Sequence, residues 1–97
     1  MNMNKFNNDA RLLLSHYGSR KQIEKAIEEC YECAEALQEH LEYSDKRHAI
    51  EEVADCTLMM LQMSILFGAA DVEEMIERKI KRQNERISRE PQNRNMR

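Results

Sequence analysis

Glycine and proline are nearly missing from this chain, with two glycines and one proline in 97 residues. A sheet protein needs turns, and these residues are the usual way to make them. An excess of positive charge is also missing. Charged residues are 34% of the chain, yet the net charge is only -3, which argues against a general nucleic-acid coat. No apolar run reaches the roughly 18 residues of a membrane span. The opening stretch MNMNKFNNDA is polar and has no apolar h-region, so no signal peptide is expected. Three cysteines, an odd number, without a secretion signal point to a reducing cytoplasm.

What is abundant is Glu, Lys, Arg, Ala, Leu, Met and Ile, which favour helices. A chain this short makes one small domain with a thin core, so an oligomer is expected. The spacing predicts a first helix from Asn8 to Tyr17, stopped by Gly18. Ser19, with Gln22 three residues on, reads as a capping box opening the second. That helix aligns Ile23, Ala26, Ile27, Cys30, Cys33, Ala34, Leu37 and Leu41 in one apolar stripe. EYSDKRH then breaks the pattern, and Ser44 or Asp45 can cap a third helix that runs to Phe67 and stops at Gly68. Asp71 can cap a fourth, ending near Ser88. Pro91 to Arg97 reads as a polar, mobile tail, leaving residues 1–90 as a single all-α domain without repeats.

Two acidic pairs stand out. Helix two carries Glu29 and Glu32; helix three carries Glu52 and Asp55. Both pairs are spaced i, i+3, so each lies on one helix face. Alone, such pairs suit solvated faces. Helix three argues otherwise. Ile50, Val53, Ala54, Thr57, Leu61 and Ile65 form one apolar stripe, while Glu52 and Asp55 lie in line with Met59, Met63 and Leu66. A helix apolar on two faces packs on two sides, so its acids border a packed interface. Carboxylates held together cost energy unless they share a proton or bind a cation. Hard oxygen ligands suit Mg2+ or Mn2+.

EECYE fits E-E-x-x-E, and EEVAD fits an E-x-x-D on the next helix. Together they resemble the MazG-type nucleoside triphosphate pyrophosphohydrolases, the all-α NTP pyrophosphatase superfamily. HYGSRKQIEKAIEECYECAEAL is similar to that family's lead into its first acidic helix. AIEEVADCTLMMLQMSILFG resembles its second, and KIKRQNERI the basic ending of its last helix. The likeness covers roughly residues 16 to 87. It implies Mg2+-dependent cleavage of a nucleoside triphosphate between the α and β phosphates, giving a monophosphate and pyrophosphate. It also implies that Glu29, Glu32, Glu52 and Asp55 hold the metal, with Glu28 in support or in water activation and Glu51 a solvated neighbour.

Lys79, Arg82 and Arg86 share one face of helix four. They read either as a solvated basic face or as a clamp on phosphate oxygens, which is what the resemblance implies; Asn84 can stand in for one of them. Lys25, one turn before Glu29, is a further phosphate contact or an ion-pair partner of Glu28 or Glu29.

Cys30 and Cys33 form a C-x-x-C in mid-helix. Zinc sites take four ligands, and a redox C-x-x-C opens a helix after a strand. Neither context is present, so the pair is expected to be small buried core residues. His16, His40 and His48 suit surface or capping roles. Without a Glu-x-x-His, a ferritin-like di-iron site is not expected. Met59, Met60 and Met63 suit a core or subunit interface, with a base-binding wall as the other use.

The expected architecture is an all-α helical bundle with two antiparallel acidic helices. Its four-helix core is completed by dimerisation, as a homodimer or homotetramer, which the resemblance also implies. The expected partner is a nucleoside triphosphate, with no nucleic-acid polymer and no membrane. The rival reading is a helical dimerisation or adaptor module without catalysis. A second rival is a hydrolase of a different bond, such as a phosphomonoester.

Overall fold

The computed structural model describes residues 3–91; the expected tail after Pro91 lies outside them. Among these residues the chain is all-α. A short 3-10 turn, Met3–Phe6, leads into α1 (Asn7–Tyr17), followed by α2 (Ser19–Tyr43), α3 (Lys46–Phe67) and α4 (Ala69–Arg89). No single helix among the described residues is long and apolar enough to cross a membrane. The chain separates into two compact units, Met1–Phe67 and Gly68–Arg97.

The helix ends follow local chemistry, with three corrections to the reading above. Gly18, at φ 88°, ends α1 by donating to the Leu14 carbonyl at 2.9 Å and starts α2 by accepting from the Gln22 amide at 3.1 Å. Ser19 is therefore already helical, and no side chain caps α2. The capping box does not form because Gln22 spends its side chain elsewhere, on Gln62. Secondly, α2 runs on through Tyr43, so the break is only Ser44 and Asp45. Ser44 is left-handed at φ 57°, and its amide closes the helix on the His40 carbonyl at 2.8 Å. Asp45 Oδ1 accepts the His48 amide at 3.2 Å, the usual N-cap exchange of a side-chain oxygen for an orphan donor. Thirdly, α4 starts at Ala69 after Gly68, and Asp71 falls in its first turn without capping it.

In the first unit α1 packs on both α2 and α3, and α2 packs on α3. Small residues let the backbones approach: Ala10, Ala26 and Ala36 are buried. The buried line of α2 is Gln22, Ala26, Glu29 and Ala36; of the predicted apolar stripe only Ala26 is buried, with Ile23 and Cys33 half-buried. Ile27, Cys30, Ala34, Leu37 and Leu41 of that stripe are exposed. The inward face of α2 is the one that carries Glu29, and most of the apolar stripe lies outside it.

Helix α3 shows the same division. Met59 and Gln62 are buried, and Glu52, Met63 and Leu66 are half-buried. The stripe that begins at Ile50 is only partly covered, with Ile50, Val53 and Ala54 exposed and Thr57, Leu61 and Ile65 half-buried. Ile50, Val53, Ala54, Thr57 and Leu61, with Phe6, line an apolar groove of about 610 Å³. Only one of the two faces predicted to pack is covered within this unit.

In the second unit, α4 is amphipathic. Its apolar residues Met75, Ile76, Ile80 and Ile87 are all about half exposed or more, and Arg78 pairs with Glu74 at 2.8 Å.

Candidate metal centre

The facing turns of α2 and α3 bring carboxylates from both helices together. Glu29 is 7% exposed. Its Oε1 takes Lys25 Nζ at 3.3 Å, while its Oε2 is buried without a hydrogen-bond partner. Glu52 repeats the pattern: Oε1 lies 3.6 Å from His48 Nε2, and Oε2 is buried and unpartnered. Glu29, Glu52 and Asp55 each offer one oxygen within 4.8 Å of the others, and Glu28, Glu29 and Glu32 do the same. The four expected ligands and Glu28 thus gather as two triads that share Glu29, rather than as one set of four.

A buried oxygen without a partner costs free energy, and neighbouring carboxylates raise that cost. The strain shows at Glu32. The negative charge of Glu29 beside it, then burial, with smaller effects from Glu52 and Glu28, hold its carboxyl above the usual range. Lys25 answers part of the charge. Its ammonium lies 3.4 Å from Glu28 and 3.3 Å from Glu29, and hydrogen bonds to Glu29 and then Glu28 raise its pKa. The ion pair considered for Lys25 therefore forms. The donor set is all oxygen, which fits a small hard cation better than a soft one.

His48 was placed by sequence only at a surface or cap. It bridges two acids, with Nδ1 3.3 Å from Glu39 and Nε2 3.6 Å from Glu52. The signal was there: His48 and Glu52 are i, i+4. His40 is half-buried, with an unpartnered Nδ1, and His16 stands exposed, edge-on to Tyr17.

The thiols need correction too. Cys30 is exposed, and Cys33 and Cys56 are half-buried, so the C-x-x-C is not core. Cys30 Sγ lies 3.8 Å from Cys56 Sγ across the helix pair. Burial, then the neighbouring Cys30 and Cys33, push the Cys56 thiol up to about 11.

Lys79, Arg82 and Arg86 are exposed on α4, in the other unit from the carboxylates. Lys79 and Arg82 border one shallow groove with Arg78 and Lys81. Compared with protein-family models, curated proteins and solved structures, the chain finds no match in any of the three.

Proposed function

We propose that this chain is a Mg2+-dependent nucleoside triphosphate pyrophosphohydrolase of the MazG type. It would cleave a (d)NTP between the α and β phosphates and so clear a non-standard or surplus nucleotide. The observation that carries this reading is the pair of buried, unpartnered oxygens, Glu29 Oε2 and Glu52 Oε2, in a cluster with Asp55. Two helices hold negative charge inward where solvent would be the cheaper place for it. A divalent cation, Mg2+ or Mn2+, is the simplest partner for such a cluster.

Glu29, Glu32, Glu52 and Asp55 are the ligands in this reading. Bound metal would neutralise the triphosphate and lower the pKa of a water for in-line attack. Glu28, exposed beside Glu29, is positioned to orient or deprotonate that water. Lys25, with its ammonium at the edge of the cluster, can move from carboxylate to phosphate oxygen. Lys79, Arg82 and Arg86, exposed on α4, carry the charge and forked donors that suit phosphate oxygens.

The assembly belongs to the same proposal. Cross-helix contacts pair 22 with 62, 30 with 56 and 39 with 48. Numbers rising on one helix as they fall on the other support antiparallel acidic helices. The open groove along Ile50, Val53, Ala54, Thr57 and Leu61 is the face a second copy would cover, completing a four-helix core. Three unbridged thiols fit a cytoplasmic setting.

That open face equally favours the rival, a helical dimerisation module without catalysis. The test is pyrophosphate release from a panel of NTPs and dNTPs with Mg2+ or Mn2+, alongside Glu52→Gln and Asp55→Asn. Release that both substitutions abolish, with helicity intact, supports the enzyme. Orthophosphate release instead would indicate another bond. No turnover, and no metal-induced rise in melting temperature, would leave the module.

A further inference from the structure

Neither the carboxylate cluster nor the proposed dimer face uses the thiols. Cys30 and Cys56 come from different helices, and their sulfurs lie 3.8 Å apart. Cys30 is exposed, at the edge of a second groove lined by Ile27, Tyr31 and Met60, so a small oxidant can reach it. A disulfide needs the sulfurs at about 2.0 Å, a shift toward which rotation of the exposed Cys30 side chain can contribute. Cys33 is the less suitable partner for Cys30. The two lie one turn apart on the same helix, and an i, i+3 bond there would have to form against the helical backbone.

We propose that Cys30 and Cys56 are a modification site: a peroxide converts them to a reversible disulfide that staples α2 to α3. In the first step Cys30 sulfur attacks the O–O bond of hydrogen peroxide, giving a sulfenic acid and releasing one water. In the second, Cys56 sulfur attacks Cys30 sulfur and expels hydroxide, which leaves as a second water with the Cys56 proton. Two thiols lose two electrons and two protons, and one peroxide becomes two waters. A dithiol reductant restores both thiols by exchange. The bond follows from sulfur geometry alone and stands independently of the nucleotide reading. Its place matters, however. Glu29 directly precedes Cys30 and Asp55 directly precedes Cys56, so the staple would lock the turns that carry two clustered carboxylates.

The test treats the full chain with hydrogen peroxide, blocks remaining thiols with N-ethylmaleimide, and maps tryptic peptides without reduction. The expected product links residues 26–46 to residues 48–78 within one chain and disappears on dithiothreitol. Because 26–46 holds both Cys30 and Cys33, variants decide the pairing. Cys33→Ser should keep the linked peptide, while Cys30→Ser and Cys56→Ser should lose it. The oxidised chain should also melt at a higher temperature than the reduced one. A bond confined to residues 26–46, a link that survives Cys30→Ser, bonds only between chains, or oxidation that stops at sulfinic acid would each overturn the proposal.

Discussion

Gln22 Nε2 donates to Gln62 Oε1 across 2.6 Å, and both side chains are buried, at 6% and 1% exposure. Gln62 uses its own amide on the Leu58 carbonyl at 3.3 Å, so each head group closes on a partner. The pair fixes how α2 meets α3 two turns from Glu29. Gln62→Ala strands the Gln22 amide and leaves a cavity, and should cost about 2–3 kcal/mol in urea unfolding. Replacing both by Leu should recover most of that loss, because no polar group is then left without a partner. A double mutant as unstable as Gln22→Leu and Gln62→Leu summed would show that the hydrogen bond does not couple them.

Glu29 is the carboxylate common to both triads. Glu29→Gln removes one buried charge, so the metal-free protein should melt at a higher temperature than the parent. With Mn2+ the parent should melt higher, and the same substitution should abolish that rise. A site filled at a hundred times Kd would stabilise the parent by about 2.7 kcal/mol. Thermal melts with and without Mn2+ read both effects. A Glu29→Gln protein that melts lower without metal and still responds to it would remove Glu29 from the site.

The raised pKa of Glu32 sets a pH dependence. A folded-state pKa above the unfolded value means that the native state holds the proton more tightly. Stability from this group is full below the ordinary carboxylate pKa and is lost as pH rises through the raised value. In metal-free melts the parent should therefore lose ground to Glu32→Gln as pH climbs from acid toward neutral. Added Mn2+ should reverse the order at neutral pH, because the cation favours the carboxylate. Parallel curves at every pH would show that Glu32 does not feel its neighbours.

Leu61→Glu places a charge in the open groove of α3 without touching the carboxylates. If a second copy covers that face, sedimentation should show a monomer where the parent sediments as a dimer or tetramer. An unchanged oligomer would move the interface elsewhere.

Ser44 holds a left-handed conformation at φ 57°, which costs a residue with a β-carbon about 1–2 kcal/mol relative to its right-handed form. Ser44→Gly should raise stability by about 0.5 kcal/mol, since part of the gain returns as unfolded-chain entropy. Ser44→Val should lower it by more than that. Chemical denaturation of the two variants is enough to decide.

Helix content and most helix limits were legible in the sequence because periodicity, two glycines and an aspartate cap act locally. Gly18, Gly68 and Asp45 mark boundaries in any tertiary context. Which face turns inward was less legible. Apolar patterning pointed to Ile27, Leu37 and Leu41, yet α2 buries Gln22 and Glu29. A polar residue is buried when something across the interface answers it, and that answer lies forty residues away for Gln22. The acids were readable as two i, i+3 pairs, but the sharing of Glu29 between two triads arises only when α2 and α3 meet. Cys30 was misplaced for the same reason: its stripe looked like core, and its face proved to be surface.

The junction between α2 and α3 is two residues long, a left-handed serine and a capping aspartate. It works as a ruler. One residue added or removed in either helix between Glu29 and Asp55 turns everything beyond it by about 100°. Glu52 and Asp55 would swing away from Glu29, and Cys56 from Cys30. Over evolutionary time, then, this chain is free to change length toward its ends, while the stretch from Glu29 to Asp55 must drift in composition only.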